Sequence, residues 1–218
     1  MANNRTFVQF GCGMSSPQGW VNYDASPTLK FERLPVIGRL YTKNASRFPE
    51  KVFPGDIIKG LPHPPGSVEG VYASHVLEHL SERDCRKALD NVFTILKPGG
   101  TFRLIVPDLE WRARRYLDAV AKSSDRASHD FMRSSHLGVE QRSRALLGRM
   151  KEALSNSSHL WMWDKISMRR ALEEAHFDNI RSCSFGDATD PEFKLVEDRD
   201  RFVDSGNMEV ALECRKPI

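Results

Sequence analysis

The chain lacks any apolar stretch close to the roughly 20 residues that a membrane-spanning helix requires. Its polar start, Met1 to Arg5, lacks the apolar core of a secretory signal. It also has no Cys-x-x-Cys pair, which favours reduced thiols over a disulfide framework or a zinc knuckle. The four scattered cysteines are Cys12, Cys85, Cys183 and Cys214. These absences predict a cytoplasmic protein that does not span a membrane.

A strong charge of one sign is missing too, because 32 basic and 29 acidic residues leave a net charge of +3. Composition alone therefore indicates neither a nucleic-acid partner nor a membrane surface. A local basic surplus runs from Arg112 to Lys151, but aromatic residues that could stack on bases are few there. We predict no nucleic-acid partner. The basic segment is either a solvated helical face or a lid that favours an anionic ligand.

Strand and helix patterns alternate along the 218 residues, a length that suits one domain, 1–218. Helices are predicted where a capping residue precedes apolar positions at helical spacing, after Ser81, Asp108 and Asp164. Strands are predicted at Phe7–Phe10, Trp20–Asp24, a third ending at Asp56 and Ile57, Val68–Ser74, Thr101–Val106, Ile180–Phe185 and Met208–Cys214. The alternation predicts a doubly wound α/β sheet, with 112–160 as a helical lid or insertion between the fifth and sixth strands.

Two further patterns concern single elements. The last strand alternates strictly, with Glu209 and Glu213 opposite its apolar side chains, so one of its faces is expected to be exposed to solvent. Apolar residues after the second strand predict a short amphipathic helix that contains Leu34, Val36, Ile37, Leu40 and Tyr41.

The first strand is followed by Gly11-Cys12-Gly13, and the second ends in the carboxylate of Asp24. Glycines allow backbone N–H groups to approach a ligand closely, and a carboxylate at this strand end is placed to accept hydrogen bonds from a ribose. This pattern predicts a nucleotide-cofactor site. Only ten residues separate Gly13 from Asp24, and they include Pro17 and Gly19, so a loop or single turn replaces the usual intervening helix.

Five segments in register resemble class I S-adenosylmethionine-dependent methyltransferases, and more narrowly the type 11 branch and its subgroup associated with polysaccharide biosynthesis. They are Gly11–Gly13, Gly19–Asp24, Ser74–Leu80, Leu96–Gly100 and Val106–Glu110. The resemblance implies a Rossmann-like seven-stranded sheet with an antiparallel C-terminal strand, and S-adenosylmethionine as the cofactor. The chain departs from the family at two places, where Gln9 replaces an acidic residue and Ser15 replaces a glycine.

The resemblance also implies roles for individual residues in holding the cofactor. The loop would line its methionine part, Asp24 would hold the ribose, Asp56 with Ile57 would meet the adenine, and Ser74 with His75 would close the pocket. The loop residues concerned are Phe10, Gly11, Cys12 and Gly13. Cys12 is expected to be a small buried filler and not a nucleophile, because displacement at a sulfonium methyl needs no thiolate.

The predicted activity is methyl transfer to a hydroxyl of a saccharide or another small hydroxylated acceptor. This acceptor could be anionic, such as a nucleotide-linked or acidic sugar. A hydroxyl must lose its proton, so a base is needed. The candidates are His75, Asp108 and His159, although Asp108 is equally suited to capping a helix.

Three alternatives compete with this prediction. Gln9, Ser15 and the short first connection would also suit a non-catalytic protein that binds the cofactor or a partner. Gly-x-Gly with a ribose carboxylate also serves nicotinamide oxidoreductases. His75-x-x-Glu78-His79 matches an inverted zinc-peptidase signature, but that chemistry needs both imidazoles on one face of a helix, and here a strand has just ended. We predict no metal.

Overall fold

The computed structural model describes residues 5–36, 38, 46–139 and 158–218. Its strands are β1 Phe7–Phe10, β2 Trp20–Asp24, β3 Val52–Pro54, β4 Val68–Ser74, β5 Leu96–Pro107, β6 Asp178–Ser182, β7 Val203–Asp204 and β8 Asn207–Arg215. Its α-helices are α1 Pro27–Glu32, α2 Glu82–Ile95, α3 Leu109–Ala121, α4 Ala127–Ser134 and α5 Lys165–Glu174. Short 3₁₀ helices lie at Leu77–His79, Pro191–Leu195 and Arg199–Arg201.

The strands form one sheet in the order β3-β2-β1-β4-β5-β8-β6. Neighbours from β3 to β5 are parallel, and β8 runs antiparallel to both β5 and β6. The Rossmann-like α/β class with an antiparallel C-terminal strand is therefore confirmed. An eighth strand was not predicted: β7 pairs with β8 across a turn in which Ser205 and Gly206 both have positive φ, 50° and 80°.

Helices cover the sheet on one face, where α2 and α5 pack their apolar sides against it. Buried residues of these helices include Cys85, Ala88, Leu89, Val92, Met168, Ala171 and Leu172. Both helices begin where the sequence predicts, because the Ser81 hydroxyl accepts a hydrogen bond from the Asp84 N–H and the Asp164 carboxylate accepts one from the Ser167 N–H. The helix that Asp108 caps is likewise confirmed as α3.

The opposite face is covered by the chain between β6 and β7. Phe193 and Phe202 pack there against side chains of β1, β2, β4 and β5, namely Phe7, Trp20, Tyr72 and Ile105. The prediction of an exposed face on β8 is therefore wrong. Glu209 and Glu213 are only 9% and 3% exposed, because each forms an ion pair with a buried arginine beneath this cover.

Four element boundaries differ from the prediction by two residues or more. β5 begins at Leu96, five residues before the expected Thr101. β3 ends at Pro54, two residues before Asp56, and β6 runs over Asp178–Ser182 instead of Ile180–Phe185. The helix after β2 is α1, which begins earlier because Ser26 caps it and Pro27 stands in its first turn. Of the residues predicted to form a helix there, Leu34 and Val36 are exposed. The other three, Ile37, Leu40 and Tyr41, lie outside the described residues.

In the segment predicted as a helical lid, 112–160, the structure describes two helices, α3 and α4, with turns and irregular chain at 122–126, 135–139 and 158–160. Residues 140–157 lie outside the described part, and with them four basic residues of the predicted surplus: Arg142, Arg144, Arg149 and Lys151. Within the described ranges, no helix has the length and apolarity to cross a membrane.

Candidate functional site

The loop after β1 brings its two glycines into different surroundings. Gly11 and Gly13 both have positive φ, 63° and 55°, a conformation that side chains rarely adopt. A Cβ on Gly11 would lie 2.2 Å from Cγ2 of Val76, so the turn after β4 packs directly on this residue. A Cβ on Gly13 would meet no atom of the described residues within 4 Å. The loop is therefore packed against Val76 at Gly11, whereas the space next to Gly13 is free for a ligand.

Asp24 and this loop come together as expected. Its Oδ2 accepts a hydrogen bond from the Gly13 N–H at 3.0 Å, and its Oδ1 accepts one from the Ser26 N–H at 2.8 Å. The Cys12 N–H donates to the Tyr23 carbonyl at 3.1 Å, which ties the loop to β2. Because a carboxylate has about four acceptor positions, these two bonds leave capacity for the hydroxyls of a ligand. The intervening residues form turns and no helix, as predicted.

The two departures from the family pattern are bonded to each other. The buried Gln9 amide donates to Asn22 Oδ1 at 2.6 Å and lies 3.3 Å from the Ser15 carbonyl and 3.4 Å from its hydroxyl. Gln9 thus holds the far end of the loop, and an acidic side chain, which only accepts, could not donate to the Ser15 carbonyl in this way. The sequence analysis did not connect these residues.

Asp56 and Ile57 lie in the turn after β3, next to the end of β2. The Gly55 N–H donates to the Asp24 carbonyl at 3.1 Å, so Asp56 follows one residue after this contact. Asp56 Oδ1 accepts from the Ile58 N–H at 3.0 Å, and the Ile57 side chain is buried. The strand ends that carry Asp24 and Asp56 are therefore neighbours.

Ser74 and His75 end β4 beside β5. The Ser74 hydroxyl is buried, and His75 has a positive φ of 55°. The Nε2 of His75 donates to the Arg201 carbonyl at 3.0 Å, and its Nδ1 lies 3.5 Å from Glu78 Oε1. Burial lowers the pKa of His75, but hydrogen bonding to Glu78 and its charge outweigh this, so the pKa is raised overall.

Asp108 follows β5 and caps α3, as the competing interpretation predicts. Its Oδ1 accepts from the Trp111 N–H at 3.2 Å, and its own N–H donates to Glu209 Oε2 at 3.0 Å. Burial raises the pKa of the Asp108 carboxyl above the ordinary 3.8. Asp108 is therefore a partly buried carboxylate at the carboxyl end of a central strand, where ligands of open α/β sheets bind.

A cavity of about 380 Å³ opens between α3, α4 and the β7–β8 hairpin. Its lining is polar with one aromatic pair, Tyr116 and Phe131, whose rings lie 5.6 Å apart. Arg112 lines the cavity and donates to the Asp108 carbonyl at 3.1 Å, so the cavity begins one helical turn from Asp108. Arg115 and Asn207, also in the lining, bond to each other at 2.7 Å. Sequence reasoning missed this cavity because its walls come from distant parts of the chain.

His159 lies in a group of histidines. Its ring centroid is 5.0 Å from that of His79 and 4.8 Å from that of His136, which also lines the cavity. Burial is the main reason why the pKa of His159 is lowered to about 4. The buried carboxylate of Glu78 completes the group. No sequence pattern pointed to His136.

Comparison with known proteins agrees with this architecture. A family model described as a methyltransferase domain matches residues 15–182. An S-adenosylmethionine-dependent methyltransferase from Methanosarcina mazei superposes with a TM-score of 0.53 at 14% identity, covering 100% of this chain and 95% of that one. Phosphoethanolamine N-methyltransferase 2 from Haemonchus contortus, solved with phosphomonomethylethanolamine and S-adenosylhomocysteine, gives 0.50 at 12%, with coverages of 100% and 50%. At these identities the likeness shows the fold. A search of curated proteins finds no match.

Proposed function

The chain belongs to the methyltransferase domain family, and from this premise we propose that it methylates a hydroxyl of a saccharide or another small hydroxylated acceptor. It is an S-adenosylmethionine-dependent methyltransferase. The cofactor supplies an electrophilic methyl group, so the protein must bind it, orient the acceptor, exclude water and remove one proton.

The residues around Gly13 fit this cofactor. The space above Gly13 is open, and the adjacent Asp24 carboxylate has unused acceptor positions for ribose hydroxyls. We assign Phe10, Gly11, Cys12 and Gly13 to the methionine part. Asp56 with Ile57, at the next strand end, is assigned to the adenine, and Ser74 with His75 to the β4 side. The hydrogen bond between Gly13 and Asp24 is the observation that carries the assignment.

The cavity between α3 and α4 is our proposed acceptor site. Its volume, about 380 Å³, falls in the range of small-molecule sites, roughly 300 to 1,000 Å³. Paired hydrogen-bonding side chains beside an aromatic ring suit a hydroxylated ring better than an apolar ligand. Arginines and aspartates both line the cavity, and Arg112 is already paired with Glu209, so the charges suit a neutral acceptor as well as an anionic one.

Asp108 is the base that this geometry favours among the three candidates. Burial raises its pKa, which makes the carboxylate a stronger base, and it lies one helical turn from the cavity. His75 is less suited, because its Nε2 donates to the Arg201 carbonyl and its Nδ1 faces the buried Glu78 carboxylate at 3.5 Å. His159 packs within the histidine group instead of standing at a strand end.

Two broader assignments accompany this proposal. The Gly19–Asp24 connection, which resembles that of methyltransferases associated with polysaccharide biosynthesis, supports a sugar acceptor. The four cysteines are all unpaired, which supports a reducing compartment such as the cytoplasm.

The cofactor site is tested by calorimetry with S-adenosylhomocysteine. We expect binding by the wild type and a loss of about tenfold or more in affinity for Asp24→Asn, because a charge-assisted hydrogen bond contributes roughly 1.5–3 kcal/mol. Asp90→Asn, at an exposed position of α2, is the matched control and should bind as the wild type does. Equal affinities for all three proteins would remove Asp24 from the site.

The acceptor is tested by transfer of a radiolabelled methyl group from S-adenosylmethionine. A panel of neutral, acidic and nucleotide-linked sugars is compared with amines of similar size. Label in a sugar ether supports the proposal, and label only in an amine contradicts it. Cofactor binding without turnover on any acceptor would favour the non-catalytic alternative.

A further inference from the structure

Three side chains from two segments of the chain meet at the turn after β4. Glu78 and His79 belong to the 3₁₀ helix that follows this strand, and His159 precedes α5. One potential ligand atom from each lies within 4.8 Å of the others. The segments are also joined by their backbones, because the Leu160 N–H donates to the Glu78 carbonyl at 2.8 Å.

The Glu78 carboxylate is the anomaly in this group. Its side chain is 0% exposed, and neither oxygen has a hydrogen-bond partner among the residues that the structure describes. A buried charge without hydrogen bonds is strongly unfavourable, since burial removes its hydration. The imidazole nitrogens nearest to Oε1, at 3.5 Å for His75 and 3.9 Å for His79, are too distant for a normal hydrogen bond.

His79 cannot donate a hydrogen bond to Glu78 in its neutral form. Its Nδ1 lies 3.1 Å from the Ser158 carbonyl, which only accepts hydrogen bonds, so Nδ1 carries a proton. In the neutral ring Nε2 then presents a lone pair, and it lies 3.9 Å from Glu78 Oε1. His79 Nε2 and Glu78 Oε1, which both carry lone pairs, therefore lie close together without a hydrogen atom between them. A hydrogen bond from the second ring nitrogen to a backbone carbonyl is also the arrangement that orients metal-binding histidines.

We propose that Glu78, His79 and His159 bind one divalent first-row transition-metal ion, such as Zn²⁺. Ligands bound at about 2.1 Å stand roughly 3.4 Å apart in a tetrahedron, so the site needs only a modest contraction. Two imidazoles and one carboxylate select transition metals over Mg²⁺, which prefers oxygen ligands. Three protein ligands leave at least one position open to water or another oxygen.

The site differs from the peptidase signature considered from the sequence. There both histidines of His75-x-x-Glu78-His79 would bind the metal and the glutamate would activate water. Here the Nε2 of His75 is bonded to the Arg201 carbonyl, and Glu78 itself is a ligand. The site stands independently of the proposed acceptor, because its test needs neither cofactor nor substrate.

The direct test is calorimetry with ZnCl₂ on full-length protein without a histidine tag, after removal of metals by a chelator. We expect one ion per chain for the wild type, and an affinity at least about tenfold weaker for His79→Asn and for His159→Asn. His129→Asn, an exposed histidine of α4 outside the group, is the control and should bind as tightly as the wild type. Absence of binding by the wild type, or equal binding by all four proteins, overturns the proposal.

A second measurement covers the case in which a variant does not fold. Metal that binds only the native state raises the Tm of the wild type, whereas Mg²⁺ at the same concentration should leave it unchanged. Co²⁺ should in addition give visible absorption bands typical of nitrogen and oxygen ligands. An unchanged wild-type Tm in saturating Zn²⁺, or an equal effect of Mg²⁺, contradicts the site.

Discussion

The guanidinium of Arg112 donates two parallel hydrogen bonds to the carboxylate of Glu209. Nη1 lies 3.0 Å from Oε2, and Nη2 lies 2.9 Å from Oε1. Both side chains are almost fully buried. Burial raises the pKa of Glu209 above its ordinary value, although the charge of Arg112 opposes the change. The pair fixes the start of α3 to β8, beside Asp108.

Removal of one partner of this pair should destabilise the protein strongly. Glu209→Met leaves the guanidinium buried and unpaired, so we expect a loss of about 3–5 kcal/mol in the free energy of unfolding, measured with urea. The double variant Arg112→Met/Glu209→Met should recover much of this loss. Glu110→Met breaks an exposed pair on the same helix and should cost less than about 1 kcal/mol. A similar cost for the two single variants would contradict the role given to the buried pair.

The two glycines of the loop should respond differently to alanine. At Gly11 the new Cβ collides with Val76 and the positive φ is strained, so Gly11→Ala should lower stability by more than about 2 kcal/mol. At Gly13 only the strain of about 1–2 kcal/mol applies. The methyl group there should instead weaken binding of S-adenosylhomocysteine, because it fills the open space. Urea unfolding and calorimetry measure the two effects, and a stability loss at Gly13 as large as that at Gly11 would contradict this assignment.

Asparagine separates the two roles of Asp108, because Asn caps helices about as well as Asp but cannot take a proton. Asp108→Asn should keep the stability of the wild type within about 0.5 kcal/mol. Turnover should fall by about 10²- to 10⁴-fold if this carboxylate is the base. In the wild type, kcat/KM should decline as pH falls through the pKa of Asp108, which lies above 3.8, and this decline should vanish in the variant.

The exposed Asp118→Asn, on the same helix, is the control for that experiment and should change neither turnover nor the pH profile. An Asp108→Asn enzyme with full activity would leave the residue as a cap only.

The cysteine thiols should be unreactive in the native protein. Burial raises the pKa of Cys12, Cys85 and Cys183 to about 12, and that of Cys214 well above 9.0. At pH 8 the thiolate fraction of a thiol with a pKa of about 12 is about one in ten thousand. Alkylation by iodoacetamide at that pH should therefore be at least about 100-fold slower than in urea. Cys12→Ala should transfer methyl groups at a rate within about threefold of the wild type. Complete loss of transfer would instead indicate that Cys12 acts as a nucleophile.

Local sequence was enough to predict the features that depend on local backbone geometry. The glycines of the loop, the carboxylate at the end of β2 and the three helix caps all follow from residues a few positions apart. The hydrogen bond between Gly13 and Asp24 spans only 11 positions. The roles of these residues with a cofactor or an acceptor remain predictions.

Features that depend on distant partners could not be predicted in this way. The alternating pattern of β8 predicted that Glu209 and Glu213 share one face of the strand. It could not predict that Arg112 and Arg103, which are 97 and 110 positions away, would pair with them. The same holds for His159, which reaches His79 across a large part of the chain. Gln9 and Ser15 are only six positions apart, but the sequence analysis treated them as two unrelated departures.

The place of β8 in the sheet has a consequence for biosynthesis. This strand is made after the other described strands, yet it lies between β5 and β6 and is hydrogen-bonded to both. In a nascent chain that has not yet reached 207–215, the edge of β5 that pairs with β8 is therefore unpaired, and β6 lacks the strand to which it is hydrogen-bonded. Assembly of the central sheet must await the synthesis of 207–215, and a ribosome that stalls before that point holds a chain with exposed, aggregation-prone strand edges.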